Sequence, residues 1–152
     1  MQIFSRAATE QDLDVLLLLE SEARKSLNAF RGADRLANEL PEIGDEWLEE
    51  LNNGATFVLV SGMDSVVMGY LVARLSEKPT NKIATIEQVF VTHDARNLGV
   101  GDALVSSTLT WARERKLNAL DAIALPGDRE TKNLYERSGL VARLITVTKK
   151  LN

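Results

Sequence analysis

Hydrophobic and polar positions change period along the chain, and each change marks a different kind of element. Leu13, Leu16 and Leu17, then Leu19, Ala23 and Leu27, recur at helical spacing. Thr9 fits an N-cap ahead of them, with Asp12 in the capping-box position, and residues 3–6 read as a short opening strand. This helix is expected to end near Gly32. A second helical stretch covers residues 33–51, interrupted by Pro41 and Gly44, and Asn52-Asn53-Gly54 is a turn.

The texture then becomes that of strands. Residues 56–60 form one, Ser61-Gly62 a turn, and residues 65–75 a longer strand with Gly69 as a bulge or close-approach point. Pro79-Thr80-Asn81 turns the chain into a fourth strand at 83–91. Short connections make this part an antiparallel meander. Over residues 100–116 the helical period returns, with Asp102, Ser106, Thr110 and Arg113 as a polar stripe and Val100, Leu104 and Trp111 on another face. Residues 120–125 are an apolar strand, and strand–helix–strand implies parallel pairing here. Asp128 caps a short helix that Gly139 closes. Residues 140–149 are β-like, as one strand or a tight hairpin. The expected order is β-α-α-β-β-β-α-β-α-β. That is an α/β (α+β) fold, a mixed and mostly antiparallel central sheet with helices on both faces, in a single domain over residues 1–152.

Composition narrows the function classes. The chain has 152 residues, 45% hydrophobic and 26% charged, which suits a soluble globular domain with a core of its own. No apolar run approaches the ~20 residues of a membrane span, and the first residues do not read as a secretory signal; a cytoplasmic protein is expected. The absence of cysteine excludes thiolate zinc sites and a Cys nucleophile, and a single histidine, His93, argues against a His-based metal cluster or a Ser-His-Asp triad. No metal is expected. Eighteen basic against 22 acidic residues give a net charge of −4, which does not support a nucleic-acid surface.

Chemistry concentrates where the fourth strand meets the next helix. Val89-Phe90-Val91 ends the strand, and Arg96-Asn97-Leu98-Gly99-Val100-Gly101-Asp102 leads into the helix. First-turn amides of a helix lack intrahelical partners and sit at the positive end of its dipole. Glycines let an anion come close, so the segment suits a phosphate or pyrophosphate. Three readings compete: a tight turn, a dinucleotide fingerprint, and the pyrophosphate loop of an acyl-coenzyme A enzyme. The dinucleotide pattern wants a third glycine where Leu104 stands. Arg96, Gly99 and Gly101 match the Arg/Gln-x-x-Gly-x-Gly/Ala form of the third reading.

A second segment decides between them. Asn133-Leu134-Tyr135-Glu136-Arg137-Ser138-Gly139-Leu140 resembles the Leu-Tyr-x-x-x-Gly-Phe pattern of GNAT-type N-acetyltransferases. The two segments stand in the family's order, and the resemblance extends over the whole expected topology. It implies that the fourth strand splays from the fifth and that a pantetheine arm enters the wedge, bonded to the backbone of Val89 and Val91 beside Phe90. It further implies that amides from Asn97 to Asp102, through Leu98, Gly99, Val100 and Gly101, hold the pyrophosphate. Arg96 would brace the loop or meet a phosphate, and Asp102 would point outward and favour the helix dipole.

By the same resemblance, the reaction is direct attack of a neutral amine on the acetyl thioester of acetyl-CoA in a ternary complex. Tyr135 is the candidate acid for the leaving thiolate and Glu87 the candidate base, directly or through water. His93 reads as a surface residue. The chain departs from the family pattern at Asp128, usually Asn; at Thr131, usually Ala; and at Leu140, usually Phe. Asn133 is placed to take over a polar cofactor contact. Phe30, Trp47 and Tyr70 are either walls of the acceptor pocket or, the reading favoured for each taken singly, core packing. Glu39, Glu42, Asp45, Glu46, Glu49 and Glu50 form an acidic run, either a lure for a cationic amine or a solvated face. The acceptor is a small-molecule amine or a protein amino group, and a homodimer is a further expectation. The competing reading is a non-catalytic acyl-CoA sensor of the same fold.

Overall fold

The chain's computed structural model describes residues 2–76, 78 and 80–152. Five strands, β1 (Ile3–Ala7), β2 (Thr56–Met63), β3 (Val66–Leu75), β4 (Ile83–Val91) and β5 (Ala119–Ala122), form one sheet in sequence order. The first four run antiparallel; β5 joins β4 in parallel. The helices are α1 (Leu13–Leu27), α2 (Ala33–Glu39), α3 (Trp47–Leu51), α4 (Val100–Glu114) and α5 (Arg129–Arg137). The expected mixed, mostly antiparallel sheet with helices on both faces is therefore present.

Strand alternation sorts the core into two layers. Val58, Val60, Tyr70 and Val72 face α1 and α3, where Leu16, Leu19, Ala23 and Trp47 pack on them. Leu59, Leu71, Ala73 and Ile86 face the other way, against Leu104 and Val105 of α4 and Leu134 and Tyr135 of α5. Trp111, on the flank of α4, stacks on Phe57 with ring centroids 4.3 Å apart.

The expected cap is in place. Thr9 N–H donates to Asp12 Oδ2 at 2.8 Å and Gln11 N–H to Thr9 Oγ1 at 3.3 Å. It caps a short 3-10 turn, Glu10–Asp12, that runs directly into α1. Arg6 grips both Asp12 oxygens at 2.8 and 2.9 Å. This guanidinium, with the Thr9 amide, holds the Asp12 carboxyl below the usual carboxylate range. The interrupted stretch after Gly32 resolves into α2, a 3-10 turn at Gly44–Glu46, and α3.

Three expectations are corrected. Ser61-Gly62 is not a turn, because β2 continues to Met63 and the chain reverses at Asp64, whose φ is 56°. Ser61 stays in the sheet because its hydroxyl donates to Phe4 O at 2.6 Å, and a Cβ at Gly62 would lie 1.8 Å from Val66 O. The strand expected at 120–125 is Ala119–Ala122, with Ile123 N–H reaching only back to Ile86 O at 3.3 Å. Residues 140–149 form no strand, since no backbone of the described residues meets them along the outer edge of β5. The turn expected at Pro79-Thr80-Asn81 lies in part outside the described residues. Gly69 is the close-approach point that was expected: a Cβ there would stand 2.8 Å from Phe90 O.

Candidate active site

The site begins with a seam in the sheet. β4 pairs with β5 only from Ile83 to Ile86. Beyond that, residues 88–91 of β4 pair with β3 alone. Thr92 N–H donates to Met68 O at 2.8 Å. Main-chain groups alternate along a strand, so those of Val89 and Val91 face away from β3, into the seam. Arg96 Nε already uses one of them, donating to Val91 O at 3.3 Å.

A β-bulge sets what the seam displays. Val72 pairs with Gln88 but Ala73 with Ile86, so Glu87 is the extra residue. The bulge turns Glu87 and Gln88 to the same side. Ile86 and Val89 pack with the α4 face, whereas Phe90 packs with the α1 face. Glu87 Oε1 accepts from Arg74 Nε at 2.9 Å. Gln88 Oε1 accepts from the Tyr70 hydroxyl at 2.6 Å, and its Nε2 donates to Glu20 at 3.1 Å.

Glu20 is fully buried and serves as a hub. Its oxygens also accept from Ile43 N–H and Gly44 N–H, both at 2.9 Å, and from Trp47 Nε1 at 3.2 Å. Four N–H donors replace the water that a buried carboxylate loses. Of the two readings open for Trp47, pocket wall or core packing, the structure shows core packing. Burial pushes the Tyr70 phenol well above its ordinary value, with Glu20 nearby adding to the shift.

At the other side of the seam is the glycine loop. Gly99, at φ 90°, is the residue before α4, and Asn97 also has a positive φ of 65°. Among the described residues no acceptor pairs with the amides of Asn97 to Asp102. The two glycines differ in duty. A Cβ at Gly99 would meet Ile3 Cδ1 at 3.0 Å, in a backbone conformation that L side chains rarely adopt. A Cβ at Gly101 would meet Leu134 Cδ2 at 3.3 Å, so this glycine also lets α5 close on α4.

Two neighbouring cavities, which share Val89, Phe90 and Arg96 in their walls, lie among these parts. The smaller, about 200 Å³, lies over the loop and is lined by Val89, Phe90, Val91, Arg96, Asn97, Gly99, Gly101, Asp102 and Asn133. The larger, about 950 Å³, runs between α1, α2, β4 and α5, and both Glu87 and Tyr135 line it, as do Phe30, Tyr70 and His93. Leu98 and Val100 line neither: Leu98 is exposed, and Val100 is buried in the core. Asp102, at the rim of the smaller cavity, is half exposed and pairs with Arg137 at 3.2 Å.

Tyr135 is buried, and its hydroxyl donates to Ile123 O at 3.0 Å, just past the end of β5. Burial, with a smaller contribution from Asp128, pushes its phenol well above the ordinary tyrosine value. Asp128 caps α5 by accepting from Thr131 N–H at 3.2 Å. Arg96 spans the seam: it pairs with Glu130 of α5 and lies 5.7 Å over the Phe90 ring.

Sequence reading missed Glu20, Arg74, Gln88 and Glu130. A signal existed for Glu20, which lies four residues after Leu16 on the apolar stripe of α1. The Arg74 and Gln88 partnerships depend on the bulge, which has no local sequence mark. The acidic run is mostly solvated; Glu50 departs from it, accepting from Arg74 Nη1 at 2.8 Å. Among the described residues no group of three or more His, Asp or Glu side chains is arranged to hold a metal ion, and no helix is long and apolar enough to cross a membrane.

Comparison with known proteins gives this geometry a family. The sequence model described as the acetyltransferase (GNAT) family matches residues 21–140. No curated protein sequence matches the chain. Among solved structures, a tetramutant of the Bacillus halodurans protein BH1408 is similar at TM-score 0.81 and 19% identity, covering 97% of this chain and 99% of that one. The ribosomal-protein-alanine N-acetyltransferase of Brucella melitensis biovar Abortus 2308 is similar at 0.73 and 18%, covering 99% and 100%. AAC(6')-Iy, in complex with the bisubstrate analog CoA-S-monomethyl-acetylneamine, is similar at 0.73 and 15%, covering 99% of each chain. The glycine loop, the parted strands and the Tyr135 helix thus sit in a fold shared with these proteins, and with the family model spanning most of its length the chain belongs to the acetyltransferase (GNAT) family.

Proposed function

We propose that the chain is an N-acetyltransferase that moves an acetyl group from acetyl-CoA to a primary amine by direct attack within a ternary complex. The observation that carries this reading is the seam: β4 leaves β5 after Ile86, beside a glycine-started helix, and opens into a cavity that holds Glu87 and Tyr135. The residues fit the cosubstrate. The amides of Asn97 to Asp102 hold the pyrophosphate, with Arg96 and Asn133 at the rim of the same small cavity. The main-chain groups of Val89 and Val91 take the pantetheine arm as the seam's missing strand, with Phe90 alongside.

Each residue then has one task. Glu87 takes the proton of the attacking amine, directly or through water, as the N–C bond forms. A β4 N–H at the seam donates to the oxygen that gains charge. Tyr135 gives its phenolic proton to the sulfur as the C–S bond breaks, and it leaves Ile123 O to do so. A small-molecule amine or a protein amino group is the acceptor. The reaction is proposed to take place in the cytoplasm.

A second reading has its own support. Glu87 is engaged by Arg74 and Tyr135 by Ile123 O, which suits an acyl-CoA sensor that never turns over. Thermal denaturation with acetyl-CoA, followed by thiol release over a panel of amines, separates the two. A ligand binding only the native state adds about 2.7 kcal/mol at 100 times its Kd. A shift with amine-dependent thiol release supports the enzyme. A shift without release from any amine supports the sensor, and no shift at millimolar acetyl-CoA overturns both.

A further inference from the structure

Five large apolar side chains belong to neither layer of the core. Leu27 ends α1, Phe30 follows it, Leu36 and Leu40 stand four residues apart at α2, and Leu125 lies in the loop after β5. Each is partly buried, and all five line the larger cavity. The loops on either side close on each other there. A Cβ at Gly32 would meet Leu125 Cδ2 at 3.6 Å, and one at Gly127 would meet Phe30 Cδ1 at 3.7 Å. No residue of α2 is buried, so Leu36 serves the cavity and not the core. The same cavity holds Glu87, Gln88 and Tyr70 of the sheet. An apolar wall with a few polar groups at one place is the form of a site that takes an apolar body and orients it by one end.

Charge narrows the occupant further. None of Glu39, Glu42, Asp45, Glu46, Glu49 and Glu50 lines the cavity, so the acidic run is no part of its wall. Its own four carboxylates stand with four cations, Arg24, Lys25, Arg96 and Arg129. Glu87 is held by Arg74, Glu130 by Arg96, and Asp128 by the first turn of α5. That leaves Glu22, which shares α1 and the cavity wall with Arg24 and Lys25. A ligand with several positive charges would give up water for each of them and find too few open carboxylates in return.

We propose that the acceptor is a small monoamine on an apolar body, an alkyl or arylalkyl amine. Its amino group sits at Glu87, and its body lies against Leu27, Phe30, Leu36, Leu40 and Leu125. This rests on the acetyltransferase reading above and names the substrate class of that site. The apolar wall discriminates by the length of the body, since each buried methylene adds a similar increment. The paired charges discriminate against polyamines and aminosugars.

Titration calorimetry with CoA present reads amine binding without turnover. The probes are ethylamine, butylamine, hexylamine, phenethylamine, spermidine and sisomicin. Hexylamine is expected to bind about 100-fold tighter than ethylamine, at roughly three- to fourfold per methylene. Spermidine and sisomicin are expected to bind no tighter than ethylamine. Thiol release from acetyl-CoA is expected to follow the same order in kcat/KM. Leu36→Asp puts a charge in the wall at a position outside the core. It is expected to cut the hexylamine-to-ethylamine ratio to below about 10, with the acetyl-CoA thermal shift retained as the check of folding. Affinity that is flat along the series, tightest binding of spermidine or sisomicin, or a chain-length dependence that survives Leu36→Asp would overturn the proposal, and acetyl transfer would stand if thiol were still released. Graded binding without thiol release would support the site's chemistry and overturn acetyl transfer alone. No thermal shift with acetyl-CoA would overturn the reading on which the proposal rests, and the proposal with it.

Discussion

Arg74 Nε donates to Glu87 Oε1 at 2.9 Å, while its Nη1 donates to Glu50 Oε1 at 2.8 Å. One guanidinium therefore links the carboxylate proposed as base to a carboxylate of α3. These bonds, Glu50 foremost, raise the Arg74 pKa above its already high value, so it stays charged throughout the working range.

Glu87→Gln keeps a hydrogen-bond acceptor for Arg74 but cannot take a proton. A kcat loss of about 10²- to 10⁴-fold is expected if it is the general base, with the acetyl-CoA Kd unchanged. Arg74→Met is expected to act on the fold: it leaves Glu50, whose Oε2 is already without a partner, with no cation, at a cost of ~1–2 kcal/mol in urea unfolding. Unchanged kcat in Glu87→Gln would remove the base role.

Tyr135→Phe is expected to lower kcat while leaving the acetyl-CoA thermal shift in place. Losing the bond to Ile123 O costs about 1 kcal/mol of stability. Both Tyr135 and Tyr70 keep their protons more firmly when folded than when unfolded. Their contribution is thus complete below the ordinary tyrosine value near 10 and is lost as pH rises above it, at about 1.4 kcal/mol per pH unit for each. Melting temperature against pH from 8 to 11.5 tests the sign; in Tyr135→Phe the fall is expected to be shallower.

The capping carboxylate works in the other direction. Asp12 is held below its ordinary value by Arg6, so its contribution is full above the usual carboxylate range and is lost as pH falls below it. Asp12→Ala removes the Arg6 pair and the Thr9 bond, and about 1–2 kcal/mol of stability is expected to go with them. Denaturant midpoints measured at pH 7 and pH 3 are expected to differ less in the variant than in the unmodified chain.

Gly99→Ala is expected to weaken acetyl-CoA binding more than Gly101→Ala. At Gly99 the φ of 90° and Ile3 oppose any side chain, and the loop must move, carrying its free amides with it. At Gly101 the obstacle is the flexible end of Leu134. Titration calorimetry with CoA is the measurement; equal affinities would mean that the loop's shape does not matter.

How far the sequence could be read depends on the kind of feature. The N-cap at Thr9, the bounds of β4 and the helix between Asp128 and Gly139 are local, set by spacing and caps, and they are found where expected. The glycine loop and the Tyr135 helix carried the family. What stayed hidden is non-local. Ser61 and Gly62 look like a turn, but their neighbours across the sheet hold them in β2. The bulge at Glu87 is a matter of register between two strands, and the hub at Glu20 joins residues up to 68 positions apart. The 140–149 stretch has strand-forming residues but no strand partner among the described residues.

The four-residue pairing of β4 with β5 bears on how a ligand would be felt by the protein. The seam is already open, so filling it requires no strand to be peeled away. Exchange of the Val89 and Val91 amides with deuterated water should be among the fastest in the sheet, then slow sharply when a ligand lies along them. The outer end of β4 would thus acquire its rigidity from a bound ligand, and the empty and occupied forms would differ more in stiffness than in shape.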